Sequence, residues 1–173
     1  IGKASAITLA KMGYDIIATG RRKDRLDELE KELSSEVRFL PLVFDVRDRE
    51  KVGDILGNLP ADWAAVDVLI NNAGNAHGLD PIQTGSLDDW DAMMDINVKG
   101  LLYVSKAIIP GMTERKSGII INIGSIAGKE VYPNGNVYCG SKHAVDAITK
   151  GMRMDLNPFW DQSNRNSPWI GRD

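Results

Sequence analysis

The sequence predicts an α/β fold built on a doubly wound parallel sheet. Two observations carry this: short apolar runs such as VDVLI (66–70) and GIIINIG (118–124), and their alternation with helical segments. A strand that is apolar on both faces needs a layer on each side, which the intervening helices supply. In chain order, apolar residues at helical spacing predict a helix over 3–12, closed by Gly13. Residues 14–19 follow as a β-like run ending at Gly20, and a charged helix covers 24–33. The run VRFLPLVF (37–44) reads as a strand, weakened in its middle by Pro41. Next come a helix over 48–59, the buried strand 66–70, one long helix over 87–109 and the buried strand 118–124. The last helix, Asn136–Leu156, has no internal proline and repeats apolar residues at helical spacing (Val137, Ala144, Val145, Ile148, Met152, Leu156).

Bulk properties narrow the function classes. A chain of 173 residues, 43% hydrophobic, is the size of one domain with one core. With 21 basic against 24 acidic side chains it lacks the basic excess of a nucleic-acid binder. No apolar stretch reaches the length of a membrane span, and the first residues lack signal-peptide order, so no membrane partner is expected. The single cysteine, Cys139, excludes an internal disulfide and fits a cytoplasmic location; within its helix it reads as a small packing residue. His77 and His143 are too far apart for a helical metal pair, and no metal is expected. For His77 two readings stand, a solvated loop residue or a visitor to a substrate pocket, and His143 reads as a surface or subunit-contact residue. Trp63 and Trp90 read as packing between helices, and residues 24–32 as a solvated charged face.

Ligands in such a fold bind at the carboxyl ends of the strands. After the first strand, Arg21 and Arg22 precede a helix N-terminus, where the dipole disfavours cations. An anion offsets them, and a 2′-phosphate on an adenosine ribose is the expected one, since a site for the unphosphorylated ribose carries a carboxylate here. The plain alternative is a solvated basic turn. Asp45 either accepts from an adenine amino group or caps the following helix, and both readings stay open. In NNAG (71–74), Gly74 permits close backbone approach, unless the segment is an ordinary turn. Ser125 ends a strand, where a lone serine is usually structural. Tyr138 and Lys142, four apart, share a helix face. A tyrosine titrates at about pH 10, and a neighbouring ammonium favours its phenolate. Such a pair supplies the acid/base for carbonyl reduction or alcohol oxidation, with hydride carried by a nicotinamide. The small residues between them, Cys139, Gly140 and Ser141, are expected to keep the approach open.

NNAG, Asn97 in DINVKG, Ser125 in INIGSIAG and the Tyr138-to-Lys142 spacing, in this order, resemble the short-chain dehydrogenase/reductase family over residues 1–158. The resemblance implies a Rossmann-like fold, Tyr138 as acid/base and Lys142 as ribose ligand and tuner of Tyr138. It also implies Ser125 orienting the substrate oxygen and Asn97 holding a proton-relay water. Ile1 and Gly2 resemble the end of the TGxxxGIG turn, and Arg21 and Arg22 match NADP-preferring members. With Asp45, Val46, Asn72, Ala73, Gly74, Tyr138 and Lys142 they make up the expected NADP site. The runs ATGRRKDRLDEL, LDPIQTGSLDDWDAMMDINVKGL and GNVYCGSK look most like the NADP-dependent 3-hydroxy acid and serine dehydrogenases. The implied function is hydride transfer between NADP(H) and a small hydroxy acid (3-hydroxy acid, serine or allo-threonine type) or its keto form. Alternatives are a carbonyl or 3-oxoacyl reductase, and an inactive truncated fragment with at most nucleotide or subunit binding. Helices 87–110 and 136–157 match those the resembled family uses for subunit pairing, so the resemblance also implies a homo-oligomer, dimer or tetramer.

Both ends depart from the pattern. The first strand and opening glycines of the resembled fold would precede Ile1, and that strand is central in the usual 3-2-1-4-5-6 order. An incomplete sheet with two unpaired inner edges is therefore expected. Residues 159–173 show no periodicity, and a back-translation shifted by one nucleotide can read GIKVTAIHPGLV, the strand and Pro-Gly loop of the resembled family. The expectation is a partial nucleotide-binding domain over 1–158 and an irregular, frameshifted tail.

Overall fold

Helices and strands alternate along the chain: α1 (Gly2–Lys11), β1 (Ile16–Gly20), α2 (Lys23–Leu33), β2 (Phe39–Val43), α3 (Arg49–Gly57), β3 (Val68–Asn71), α4 (Leu87–Met94), α5 (Leu101–Arg115), β4 (Ile119–Asn122) and α6 (Asn136–Leu156). The computed structural model describes residues 1–159. The irregular tail expected over 159–173 therefore lies outside the described residues, apart from Phe159 in the 3₁₀ turn Asn157–Phe159.

Local chemistry sets the element ends. Gly13 takes φ +87°, which strains any side chain, and its N–H donates to the Ala10 carbonyl at 2.8 Å, closing α1. In α2 the buried residues are Leu26, Leu29 and Leu33, one stripe on an otherwise charged helix. Helix α3 starts at Asp48, whose carboxylate accepts from the Lys51 N–H at 3.0 Å. Ser86 does the same for α4, and Asp88 and Asp89 in its first turn suit the positive end of the helix.

The long helix expected over 87–109 is present as one unbroken helical run over 87–115, with a wider turn in its interior. A π-helical turn, Asp95–Gly100, separates α4 from α5, and α5 runs on to Arg115. This wider turn carries Ile96, Asn97 and Gly100 into the interior. Gly100 then packs so closely on the loop after β2 that an added Cβ would lie 2.7 Å from Val46 Cγ2.

The strands form two parallel pairs. β1 runs beside β2 from Ile16↔Phe39 to Gly20↔Val43, and β3 beside β4 from Val68↔Ile119 to Asn71↔Asn122. Among the described residues no ladder joins the pairs, so the doubly wound sheet is present in the incomplete form anticipated. Pro41 lies opposite Ala18 in β2, an outer strand, where a missing N–H is tolerated. Each half has its own core: Ala10, Ile16, Leu29 and Leu33 in one, and Val52, Leu56, Leu69, Ile108, Met112, Ile120 and Leu156 in the other. Phe44, the residue after β2, packs into the second core. Among the described residues no helix is long and apolar enough to cross a membrane.

Candidate active site

The 3₁₀ turn Ile126–Gly128 after β4 packs flush on α6, since a Cβ on Gly128 would lie 2.7 Å from the Lys142 carbonyl oxygen. The loop bearing Ser125 is thus held against the helix bearing Tyr138 and Lys142. Ser125 is exposed, and its Oγ accepts from the Ala127 N–H at 3.1 Å. Lys142 is 7% exposed, and its Nζ donates to the Ile123 carbonyl at 2.9 Å. No carboxylate pairs with it among the described residues, and burial pulls its pKa below the ordinary lysine value. On its other side lies Gly74, where an added Cβ would be 3.7 Å from Nζ and 3.2 Å from Asn97 Oδ1.

Asn97 ties three segments together. Its Oδ1 accepts from the Asn75 N–H at 2.8 Å, and its Nδ2 donates to the Asn75 carbonyl at 2.9 Å and to Ser141 Oγ at 3.0 Å. Ser141 in turn donates to the Tyr138 carbonyl at 2.8 Å. Both side-chain N–H groups of Asn97 are therefore spent on protein. The side chain is thus a clamp between the NNAG loop and the Tyr138 turn, and a proton-relay water at Asn97 would be held through an acceptor oxygen rather than through Nδ2. The expectation for the small residues between Tyr138 and Lys142 is corrected too: Cys139 and Ser141 are fully buried, and only Gly140 faces outward.

Tyr138 is half-buried and borders a recess whose walls include His77, Asp80, Asp89, Trp90 and Asn136. His77 is exposed and also borders this recess, so both readings of it stand. Carboxylate oxygens of Asp80 and Asp89 crowd Gly78, where a Cβ would lie 3.1 Å and 3.4 Å from them. His143 is exposed, and its Nδ1 lies 2.9 Å from the Cys139 carbonyl.

At the other half-sheet, Ile1 is exposed and Gly2 sits so close to Asn72 that a Cβ would meet its Nδ2 at 2.7 Å. Asn72, Ala73 and Gly74 are all exposed. Arg22 stands at the start of α2 with no ion pair among the described residues, and Arg21 Nη1 lies 3.8 Å from Asp45 Oδ2. Asp45 does not cap α3; Asp48 does. Asp45 instead takes the Arg47 side chain, Nη2 to Oδ2 at 2.7 Å and Nε to Oδ1 at 3.1 Å, plus the Arg47 N–H at 3.0 Å. These bonds, led by the guanidinium, hold its carboxyl below the usual carboxylate range. Val46 is half-buried against Gly100.

Sequence reading missed Asn75, Ser141 and Arg47. Asn75 follows NNAG directly, and its carboxamide is buried with neither atom hydrogen-bonded among the described residues. Ser141 sits within the Tyr/Lys motif itself, but nothing in the motif says that it faces Asn97.

A family model for short chain dehydrogenases matches residues 1–159. The NADP-dependent 3-hydroxy acid dehydrogenase YdfG of Escherichia coli O6:H1 is 46% identical over 147 residues, 85% of this chain and 58% of its own length. The chain thus spans less than two thirds of that relative. A serine dehydrogenase from Escherichia coli superposes with TM-score 0.81 at 44% identity, covering 87% of this chain and 68% of that one. The closed form of serine dehydrogenase complexed with NADP+ does so with TM-score 0.81 at 44% identity, covering 90% and 62%. Motif order, strand pairing and these likenesses agree: the chain belongs to the short-chain dehydrogenase family.

Proposed function

We propose that the protein is a cytoplasmic, NADP(H)-dependent oxidoreductase acting on a small hydroxy acid or its keto form, in a homo-oligomer. The observation that carries it is Lys142, a buried cation with no carboxylate partner, one helical turn beyond Tyr138 and beside the bare backbone of Gly74. A fold retains such a costly group where function uses its charge.

The residues present fit NADP(H). Gly2 and Gly74 are bare where a side chain would collide, and Arg21 and Arg22 offer exposed cations at the start of α2. Residues Ile1, Gly2, Asp45, Val46, Asn72, Ala73 and Gly74 would border the nucleotide, and Lys142 would donate to its ribose. Bound there, the cofactor supplies the hydride acceptor or donor.

In alcohol oxidation Tyr138 Oη takes the hydroxyl proton of the substrate as the carbonyl forms; in reduction it returns that proton. The Ser125 hydroxyl, whose oxygen already accepts from the Ala127 N–H, donates its own proton to the same substrate oxygen and fixes it against Tyr138. The Lys142 ammonium favours the tyrosine anion during the transfer. Asn97 holds the NNAG loop and the Tyr138 turn in register. The 3-hydroxy acid and serine dehydrogenases among its relatives favour a β-hydroxy acid, of serine or allo-threonine type, over a general carbonyl substrate. Tyr138→Phe should abolish turnover of 3-hydroxy acids with NADP+ yet leave NADPH binding, followed by fluorescence, unchanged. Retained turnover would remove Tyr138 from the proton step.

A further inference from the structure

Resting on that NADP(H) reading, we propose that Asn122 and Thr149 are positioning residues: they fix where α6 sits along β4 and so hold the Lys142 ammonium in place beside the nucleotide site. Lys142, Val145, Thr149, Met152 and Leu156 recur at helical spacing, and Lys142, Val145 and Leu156 are buried, so this is the face of α6 turned toward the sheet. Two polar ties join that face to the end of β4. Lys142 Nζ donates to the Ile123 carbonyl at 2.9 Å, and Asn122 Nδ2 donates to Thr149 Oγ1 at 2.9 Å. The first tie does not set the register by itself. A lysine head rides on a flexible four-carbon stem and keeps one carbonyl in reach while the helix slides. The second tie joins two short side chains and tolerates no slide.

This second tie is also directional and anchored at both ends. Thr149 spends its own proton on the Val145 carbonyl at 2.7 Å, so its oxygen is left to accept from Asn122. Asn122 uses its whole carboxamide: Nδ2 also meets Met152 Sδ at 3.6 Å, and Oδ1 accepts from Asn71 Nδ2 at 2.8 Å. A flipped amide would set oxygen against oxygen at Thr149 and nitrogen against nitrogen at Asn71. Asn71 is the ladder partner of Asn122, and its Nδ2 also donates to Ser105 Oγ on α5 at 3.0 Å. The Asn71 carbonyl accepts from the Ile123 N–H at 3.0 Å. One run of hydrogen bonds thus crosses from α5 through both strand ends to α6. It brackets Ile123, the residue whose carbonyl receives Lys142. Breaking the run at Thr149 leaves an Asn122 N–H without its acceptor and frees α6 to shift, which moves the ammonium relative to Gly74.

The test follows the nitrogen NMR resonance of the Lys142 ammonium in the 173-residue chain, assigned by its loss in Lys142→Met. It needs no turnover. In the unaltered chain this buried, carbonyl-bound ammonium is expected to exchange its protons with water slowly. Thr149→Val, which keeps the shape and removes the hydroxyl, should speed that exchange by about tenfold or more, and Thr149→Ser should restore it. Asn122→Ala should match Thr149→Val, with no further change when the two are combined. Val52→Ala removes apolar packing from the same core, and at an equal loss of stability in urea it should leave the exchange unaltered. In turnover of 3-hydroxy acids with NADP+, kcat should fall by about tenfold or more in Thr149→Val and return in Thr149→Ser. An ammonium already fast in the unaltered chain, no effect of Thr149→Val, no rescue by serine, or an equal acceleration in Val52→Ala would each overturn the proposal. If the exchange results hold and the unaltered chain turns over no 3-hydroxy acid, the positioning of Lys142 stands and the NADP(H) reading falls.

Discussion

At the ends of β1 and β2, Arg21 and Arg47 stand partly in solvent around one carboxylate, and Arg22, exposed, follows at the start of α2. Beyond β3 and β4 the arrangement is reversed: one cation, Lys142, is 7% exposed and faces a carbonyl and a glycine, with Asn97 2% exposed beside it. Exposed charges are screened and cost the fold little, so that corner is free to answer to a ligand's charge. A buried charge costs stability, and every polar contact around it has to be in place beforehand. Substitutions in the first region should therefore move binding preference and spare the fold. Those in the second should move the fold and the chemistry together.

The largest expected effect is at Lys142. Lys142→Met should lower turnover by about a hundredfold or more, by removing the cation one helical turn from Tyr138, the residue proposed to move the proton. The same change should raise the thermal midpoint, because burial depresses the pKa of Lys142 in the fold and the unfolded chain binds its proton more readily. The sign follows: the cost of burying the cation is in full force below the folded pKa and shrinks as pH rises toward the unfolded value. The gain in midpoint should thus be greatest near neutral pH and vanish in strong alkali, as calorimetric scans across pH would record. An unchanged midpoint would mean that the ammonium is better solvated than its surroundings imply.

Next comes Asn97→Leu. It strands the Asn75 N–H and carbonyl and removes a bond to Ser141, so a loss of about 2–4 kcal/mol is expected in urea unfolding. A loss under about 1 kcal/mol would show that water replaces the clamp. Smaller still is the effect of Arg21→Ala with Arg22→Ala: NADPH binding should weaken by about tenfold or more relative to NADH, with the thermal midpoint unmoved. The smallest is Asp48→Ala, which removes the α3 cap and should cost about 1 kcal/mol without altering nucleotide preference. A change in preference there would tie α3 to the ligand corner and erase the contrast between the two regions.

Much of this was legible in the chain. The limits of α6, the leucine stripe of α2 and the closure of α1 at Gly13 all follow from periodicity and glycine chemistry, which act over a few residues. The π-helical turn at Asp95–Gly100 was not, because the close contact made there, Gly100 against Val46, is with a residue distant in sequence. Arg47 escaped for a related reason. A pair two residues apart faces itself only in a turn of one particular shape, and FDVRD does not announce that turn. Sequence reading likewise found Asn97 but not its partners, since Asn75 and Ser141 lie 22 and 44 residues off. Local pattern reports which side chains go inside; it does not say which polar atoms meet there.

Phe44 gives the two half-sheets a common fate. It leaves the end of β2 and seats its ring in the core under β3 and β4, while β1, α1 and α2 close on a separate, smaller cluster. In amide exchange the smaller cluster should open first as one cooperative unit, with the β1–β2 ladder released together. The segment around Phe44 should lag behind it, its protection following the slower half of the molecule. A nucleotide resting on the arginine corner would slow that early opening, so the exchange rate of β1 amides becomes a gauge of cofactor occupancy that needs no turnover at all.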